Sequence, residues 1–186
     1  DDAPVRARIT LCGSFAQTYR GHGTDRALIA GLLGMQSDDE RLPESMDIAK
    51  AQGLDFSFAT ADIPGVHPNT AILELESADG RHCRVRGASI GGGNIRVDEV
   101  NGALVSFTGQ YNTLIVMHTD EAGAIAGVSG YIAAQGVNIA TFACSREEKG
   151  GASLMTIEMD GCLTEGQLAA LRGLPAVRNA GQVVRI

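Results

Sequence analysis

The residues best suited to chemistry stand in two short stretches of the N-terminal half, each bounded by glycine or proline. In Gly21-His22-Gly23-Thr24-Asp25 an imidazole sits between two glycines, just ahead of a helical pattern. Glycines remove steric cover, a helix start favours an anion, and an imidazole changes charge near neutral pH. His22 is therefore a candidate for proton transfer or for holding a carboxylate, with Gly21 and Gly23 leaving it uncovered and Thr24 and Asp25 placed to orient it. The competing reading of the same residues is a helix-capping turn. His67 and Asn69 flank Pro68 in a constrained loop and admit the same two readings; they are taken as binding groups. His118 lies alone in a strand pattern and is assigned no role.

The four cysteines, Cys12, Cys83, Cys144 and Cys162, form no C-x-x-C pair, so no zinc or self-contained cluster site is signalled and no metal is assigned to this chain. Three of them fall in strand patterns and read as buried, reduced thiols, which suits a cytoplasmic setting. A net charge of −7 with scattered basic residues argues against a nucleic-acid partner, which needs clustered Lys and Arg. No apolar run approaches the ~20 residues that span a bilayer, so no membrane span is expected. Nor is there a basic-then-apolar leader ahead of the first strand. Aromatics make up only 4% and tryptophan is absent, so the core must come from Val, Ile, Leu and Ala.

Those loops need elements to hold them. Residues 5–12 alternate apolar and polar, the mark of a half-buried strand. A loop over 14–23 precedes a helix that begins at Thr24 or Asp25 as N-cap and closes at Gly34. A second helix is expected over 43–53, with Met46, Ile48 and Ala49 on its apolar face. Strand patterns follow at 56–58, 70–76, 81–90, 95–100 and 103–108, with hairpin turns at Asp79-Gly80 and Asn101-Gly102. Gly91-Gly92-Gly93 lacks the dinucleotide spacing and fits a bulge or close backbone approach. The fold class is α+β: a first domain with an antiparallel sheet over 1–109, then a restart. Over 112–186 the order is strand 113–119, helix 125–135, strands 137–146 and 152–159, helix 164–171 and strand 177–186. That is the ferredoxin-like β-α-β-β-α-β order.

The stretch Leu114 to Val128, with Asp120-Glu121-Ala122-Gly123 at its centre, and the later Gly136-Val137-Asn138-Ile139 resemble an ACT domain. The resemblance implies that Asp120 and Gly123 shape a loop whose backbone N–H groups hold an amino-acid carboxylate, while Asn138 reaches its amino group. The competing reading has Asp120 capping the helix, Asn138 filling a turn, and the domain serving to form a homodimer through an exposed sheet edge.

The first domain is similar to the beta chain of iron–sulfur L-serine dehydratases. The likeness rests on Cys12 to Asp25, on His67-Pro68-Asn69-Thr70, and on Ser89-Ile90-Gly91-Gly92-Gly93. It implies deamination of L-serine to pyruvate and ammonia, with His22 catalytic and Gly21, Gly23, Thr24, Asp25, His67 and Asn69 at the substrate. It also implies a 4Fe-4S cluster ligated by a partner alpha chain, so that this chain alone is inactive. A Ser-Ser-Ser-His-Thr segment that usually opens the family's beta region does not precede Asp1, so the histidine it carries is not among these residues. The first domain is also similar to the allosteric substrate-binding domain of some D-3-phosphoglycerate dehydrogenases, which leaves a non-catalytic serine- or anion-sensing module as the alternative. A stand-alone amino-acid-binding protein is the third reading.

Overall fold

Strand β1 (Pro4–Cys12) buries Ala7, Ile9 and Leu11 on one face, as its alternation predicts. In the computed structural model, which describes residues 3–146 and 148–185, the chain forms two compact units, Asp1–Ile90 and Gly91–Ile186. Glu147 in the expected turn, and Ile186 at the end of the expected last strand, lie outside the described residues.

In the first unit β1 pairs in parallel with β2 (Asp55–Ala61) and antiparallel with β3 (Thr70–Ser77), which pairs antiparallel with β4 (His82–Gly91). A parallel pair needs a long crossover. It is supplied by helices α1 (Gly13–Thr18), α2 (Thr24–Leu32) and α3 (Ser45–Ala51), the last entered through a 3-10 turn at Leu42–Glu44. Ile29, Ala49 and Leu54 close over Ala7, Ile9, Leu11 and Ala71 to make the core. The Ser45 hydroxyl donates to the Arg26 carbonyl at 2.9 Å and ties α3 to α2.

Three expectations are corrected here. Residues 14–18 are helical rather than loop, because Phe15 and Tyr19, one turn apart, both pack on this core. The α2 N-cap is Gly23, with φ +69° and no side-chain cap, so Thr24 and Asp25 occupy the first turn instead. Strand β2 extends well past 56–58, because it is a full-length parallel partner of β1.

The second unit opens with the hairpin β5 (Asn94–Val100) and β6 (Ala103–Thr108) around Asn101-Gly102. Both turn residues have positive φ, 51° and 85°, as the Asn-Gly signal requires. Then come β7 (Asn112–Thr119), α4 (Ala124–Ala134), β8 (Ile139–Arg146), β9 (Ala152–Met159), α5 (Glu165–Arg172) and β10 (Val177–Val183). The sheet order is β10-β7-β9-β8, leaving β10 and β8 as edges. Leu114, Val116, Met155 and Ile157 of the sheet pack against Val128, Ile132, Leu168 and Leu171 of the helices. Within this unit Ser145 Oγ donates to the Leu104 carbonyl of the hairpin at 3.2 Å, and the Thr108 N–H to Glu158 Oε1 at 3.4 Å. Among the described residues no helix is long and apolar enough to cross a membrane.

Helix α5 opens with a capping box in which Thr164 and Gln167 satisfy each other's backbone N–H. Thr164→Ala is expected to lower stability by about 1 kcal/mol. Urea unfolding followed by circular dichroism measures it, and an unchanged midpoint would mean that the box contributes nothing.

Candidate functional site

The carboxyl ends of the parallel strands β1 and β2 open on a cleft of about 400 Å³ lined by Gly13, Ala16, Gln17, Thr60, Ala61 and Asp62. Ligands of sheets with parallel strands gather at this end, outside the carboxyl termini of the strands. Gly13 makes the turn out of β1 at φ +52°, and a Cβ there would lie 2.7 Å from the Pro68 carbonyl oxygen and 2.8 Å from its Cα. The Phe15 N–H donates to the same carbonyl at 3.2 Å. The end of β1 and the His67-Pro68-Asn69 loop are thus packed backbone to backbone, with no room for a side chain between them.

That packing holds a hydrogen-bonded loop. The Asn69 N–H donates to His67 Nδ1 at 3.1 Å, which assigns the ring hydrogen to Nε2 and leaves it as a donor. The Asn69 carbonyl accepts from the Ser89 N–H at 3.1 Å, so Ser89 of the Ser-Ile-Gly-Gly-Gly segment joins the same loop. Thr70 beside it is fully buried, and its hydroxyl has no partner among the described residues. The Cys12 thiol is also buried; burial pushes its pKa up, the nearby Asp62 carboxylate adds to this, and the Arg86 guanidinium opposes it. Cys12 is therefore a buried, protonated thiol rather than a nucleophile. Of the other cysteines Cys83 is half-buried, while Cys144 and Cys162 are exposed, so the expected burial holds fully only at Cys12. Asp62, Gln17, Thr60, Thr70 and Arg86 were not singled out from the sequence. No local signal marked them: it is the parallel pairing of β2 with β1 that places Asp62 beside Cys12.

His22 is exposed, in the turn between α1 and α2. Its N–H donates to the Thr18 carbonyl at 3.1 Å, and the Thr24 N–H to the Tyr19 carbonyl at 2.9 Å. Tyr19 stacks on Phe58 of β2 with ring centroids 5.8 Å apart, which pins the turn to the sheet. Among the described residues the imidazole takes no hydrogen bond from Thr24 or Asp25; the Asp25 carboxylate accepts instead from the Arg26 N–H at 2.9 Å. Gly21 is exposed, and nothing stands within 4 Å of where a Cβ on Gly23 would be. The ring is free to meet a ligand from outside. His22 and His67 share no hydrogen-bond partner among the described residues.

In the second unit Asp120 does not cap α4, whose N-cap is Gly123 at φ +93°. Its carboxylate accepts from the Gly150 N–H at 3.0 Å and from Arg146 Nη1 at 2.8 Å, and these two donors hold it below the usual carboxylate range. Asn138 donates to Asp160 Oδ2 at 2.8 Å. The strand register puts Asp120 next to the Thr119–Ala152 pair and Asn138 next to the Ile139–Met159 pair. These lie at opposite ends of β9, roughly 23 Å apart at ~3.3 Å per residue. One copy of the chain therefore does not bring Asp120 and Gly123 together with Asn138. Among the described residues no group of three or more His, Cys, Asp or Glu gathers as a metal site.

An α+β unit followed by a unit that contains the β-α-β-β-α-β order is the architecture of an α+β domain joined to an ACT domain. Residues 2–59 match the family model described as serine dehydratase beta chain, and residues 114–179 match that of the AHAS small subunit-like ACT domain. A probable L-serine dehydratase beta chain of Bacillus subtilis (strain 168) is 39% identical, over 98% of this chain and 81% of the relative. The L-serine dehydratase beta chain of Peptoniphilus asaccharolyticus is 34% identical, over 93% and 78% respectively. The D-3-phosphoglycerate dehydrogenase of Bacillus subtilis (strain 168) is 25% identical over 82% of this chain, but only 29% of its own length is matched. The chain belongs to the L-serine dehydratase beta-chain family.

Two predictions follow from this geometry. Gly13→Ala forces a side chain into Pro68 as well as into a positive φ, so it is expected to destabilise by more than about 2 kcal/mol. Gly23→Ala meets open space and costs only the strain, about 1 kcal/mol. Equal losses in urea unfolding would mean that the two loops are not tightly packed. For Asp120, whose pKa is lowered on folding, the stabilisation is present above the unfolded carboxyl value and is lost as pH falls through the folded one. Asp120→Asn should therefore be less stable than the parent at neutral pH, and the gap should close in strong acid. A gap independent of pH would exclude an ionic origin.

Proposed function

We propose that this chain is the beta subunit of an L-serine ammonia-lyase and supplies the proton-handling half of a reaction centre completed by an alpha chain. The supporting observation is the exposed His22 imidazole, which has no hydrogen-bond partner among the described residues and stands in a turn that Tyr19 pins to Phe58 in the middle of β2. In this reading the net reaction turns L-serine into pyruvate and ammonia, starting with loss of the Cα hydrogen and the β-hydroxyl. His22 takes the Cα proton, and Gly21 and Gly23 leave the substrate room to approach. Thr24 and Asp25, in the first turn of α2, lie where the substrate carboxylate meets the helix start. His67, with hydrogen on Nε2, donates to a substrate oxygen, and Asn69 lines the same loop. A 4Fe-4S cluster, assigned to the alpha chain, supplies Lewis-acid chemistry at the hydroxyl. The beta chain alone is inactive and works in the cytoplasm.

The ACT domain senses a small amino acid. Such a ligand is far shorter than the separation of Asp120 and Gly123 from Asn138 within one copy. Contact with all three requires a second chain, which supports a homodimer through the ACT domain. The purely regulatory alternative has weaker support, since the dehydrogenase relative is matched at lower identity and over a small part of its length.

The test is co-expression with the alpha chain, anaerobic reconstitution with iron and sulfide, and a pyruvate assay with L-serine. Activity should require both chains, and His22→Ala should lower turnover by about 100-fold or more with the heterodimer intact. Unchanged turnover would make the histidine structural.

A further inference from the structure

The second unit carries a thiol–imidazole pair that takes no part in the reaction proposed above. His118 of β7 is only 2% exposed, and its Nδ1 lies 2.7 Å from the Thr119 carbonyl oxygen. A carbonyl oxygen only accepts, so Nδ1 carries the hydrogen and Nε2 of the neutral ring is bare. Nε2 faces the Cys144 sulfur at 3.6 Å. The same sulfur lies 3.5 Å from Ser153 Oγ, whose one hydrogen is donated to the Ser145 carbonyl at 2.8 Å. Of the two acceptors beside the thiol, only Nε2 is a base. Cys144 itself is exposed, on the edge strand β8. The Asp120 carboxylate, fixed by Arg146 and Gly150, lies within electrostatic range of His118.

We infer that Cys144 and His118 form a reactive dyad on the second unit that takes a low-molecular-weight disulfide and becomes a mixed disulfide. The thiol proton passes from Cys144 Sγ to His118 Nε2. The thiolate attacks one sulfur of the disulfide, a new S–S bond forms at Cys144, and the old S–S bond breaks. The departing thiolate takes the proton back from Nε2. Cys144 is oxidised, one sulfur of the reagent is reduced, and no further oxidant is needed. The dyad sits at the same end of the sheet as the Asp120–Gly123 loop, so the adduct is placed to alter that loop.

Cys162 provides the internal control: it is exposed too, but has no imidazole beside it among the described residues. The full chain is treated with oxidised glutathione at neutral pH, and adducts at each cysteine are followed by peptide mass spectrometry. Cys144 should react about tenfold faster than Cys162 or more. His118→Gln should bring Cys144 down to the Cys162 rate and leave Cys162 unaffected. Cys144 reacting no faster than Cys162 in the parent chain overturns the dyad, and that comparison holds even if the variant fails to fold. A Cys144 rate unchanged in a folded His118→Gln protein overturns it as well.

Discussion

The contact between Gly13 and Pro68 governs the first unit. A strand that ends in a left-handed glycine, pressed against the backbone of a loop 55 residues later, has one way to leave the sheet. Because Gly13 turns there, α1 starts at once, Tyr19 falls over Phe58, and the His22 turn is delivered beside the same sheet. Because Pro68 is held there, the Asn69 N–H can lock the His67 ring, and Ser89 can close the loop from behind. The His67 loop owes its position to this one close approach. A cleft at the carboxyl ends of β1 and β2 is the space that remains.

The second unit divides its polar groups between the two ends of its sheet. One end holds Asp120 with Arg146 and Gly150, and beside them the buried His118 with Cys144 and Ser153. The other end holds Asn138 with Asp160. Such separation makes a single copy incomplete as a sensor built on Asp120 and Asn138 together. The helix-covered face between the two ends is apolar and closed, with Leu114, Val116, Met155 and Ile157 at its centre.

Much of this was legible in the sequence. The β-α-β-β-α-β order is carried by strongly periodic segments with glycine or proline stops, and a capping box announces α5 at Thr164. The Asn101-Gly102 turn fell where its dipeptide signal put it. What could not be read was pairing between distant segments. Nothing local in Asp55–Ala61 says that it runs parallel to β1, and so nothing placed Asp62 next to Cys12. The helix at 13–18 was hidden because six residues opening on a glycine give too short a period; only the Phe15–Tyr19 spacing hinted at it. His118 read as an isolated strand histidine, because its partner Cys144 lies two strands across the sheet. The candidate site residues were recognisable by type and motif. The walls around them depended on tertiary contacts that no window of sequence contains.

In the proposed reading the loops of the first unit that carry His22 and His67 form half of a shared reaction centre. Hydrogen–deuterium exchange of the chain, alone and with its alpha chain and L-serine, addresses this most directly. Slower exchange in both 13–24 and 67–70 on complex formation is the predicted result. A complex that forms while exchange in both segments stays as fast as in the free chain would contradict it.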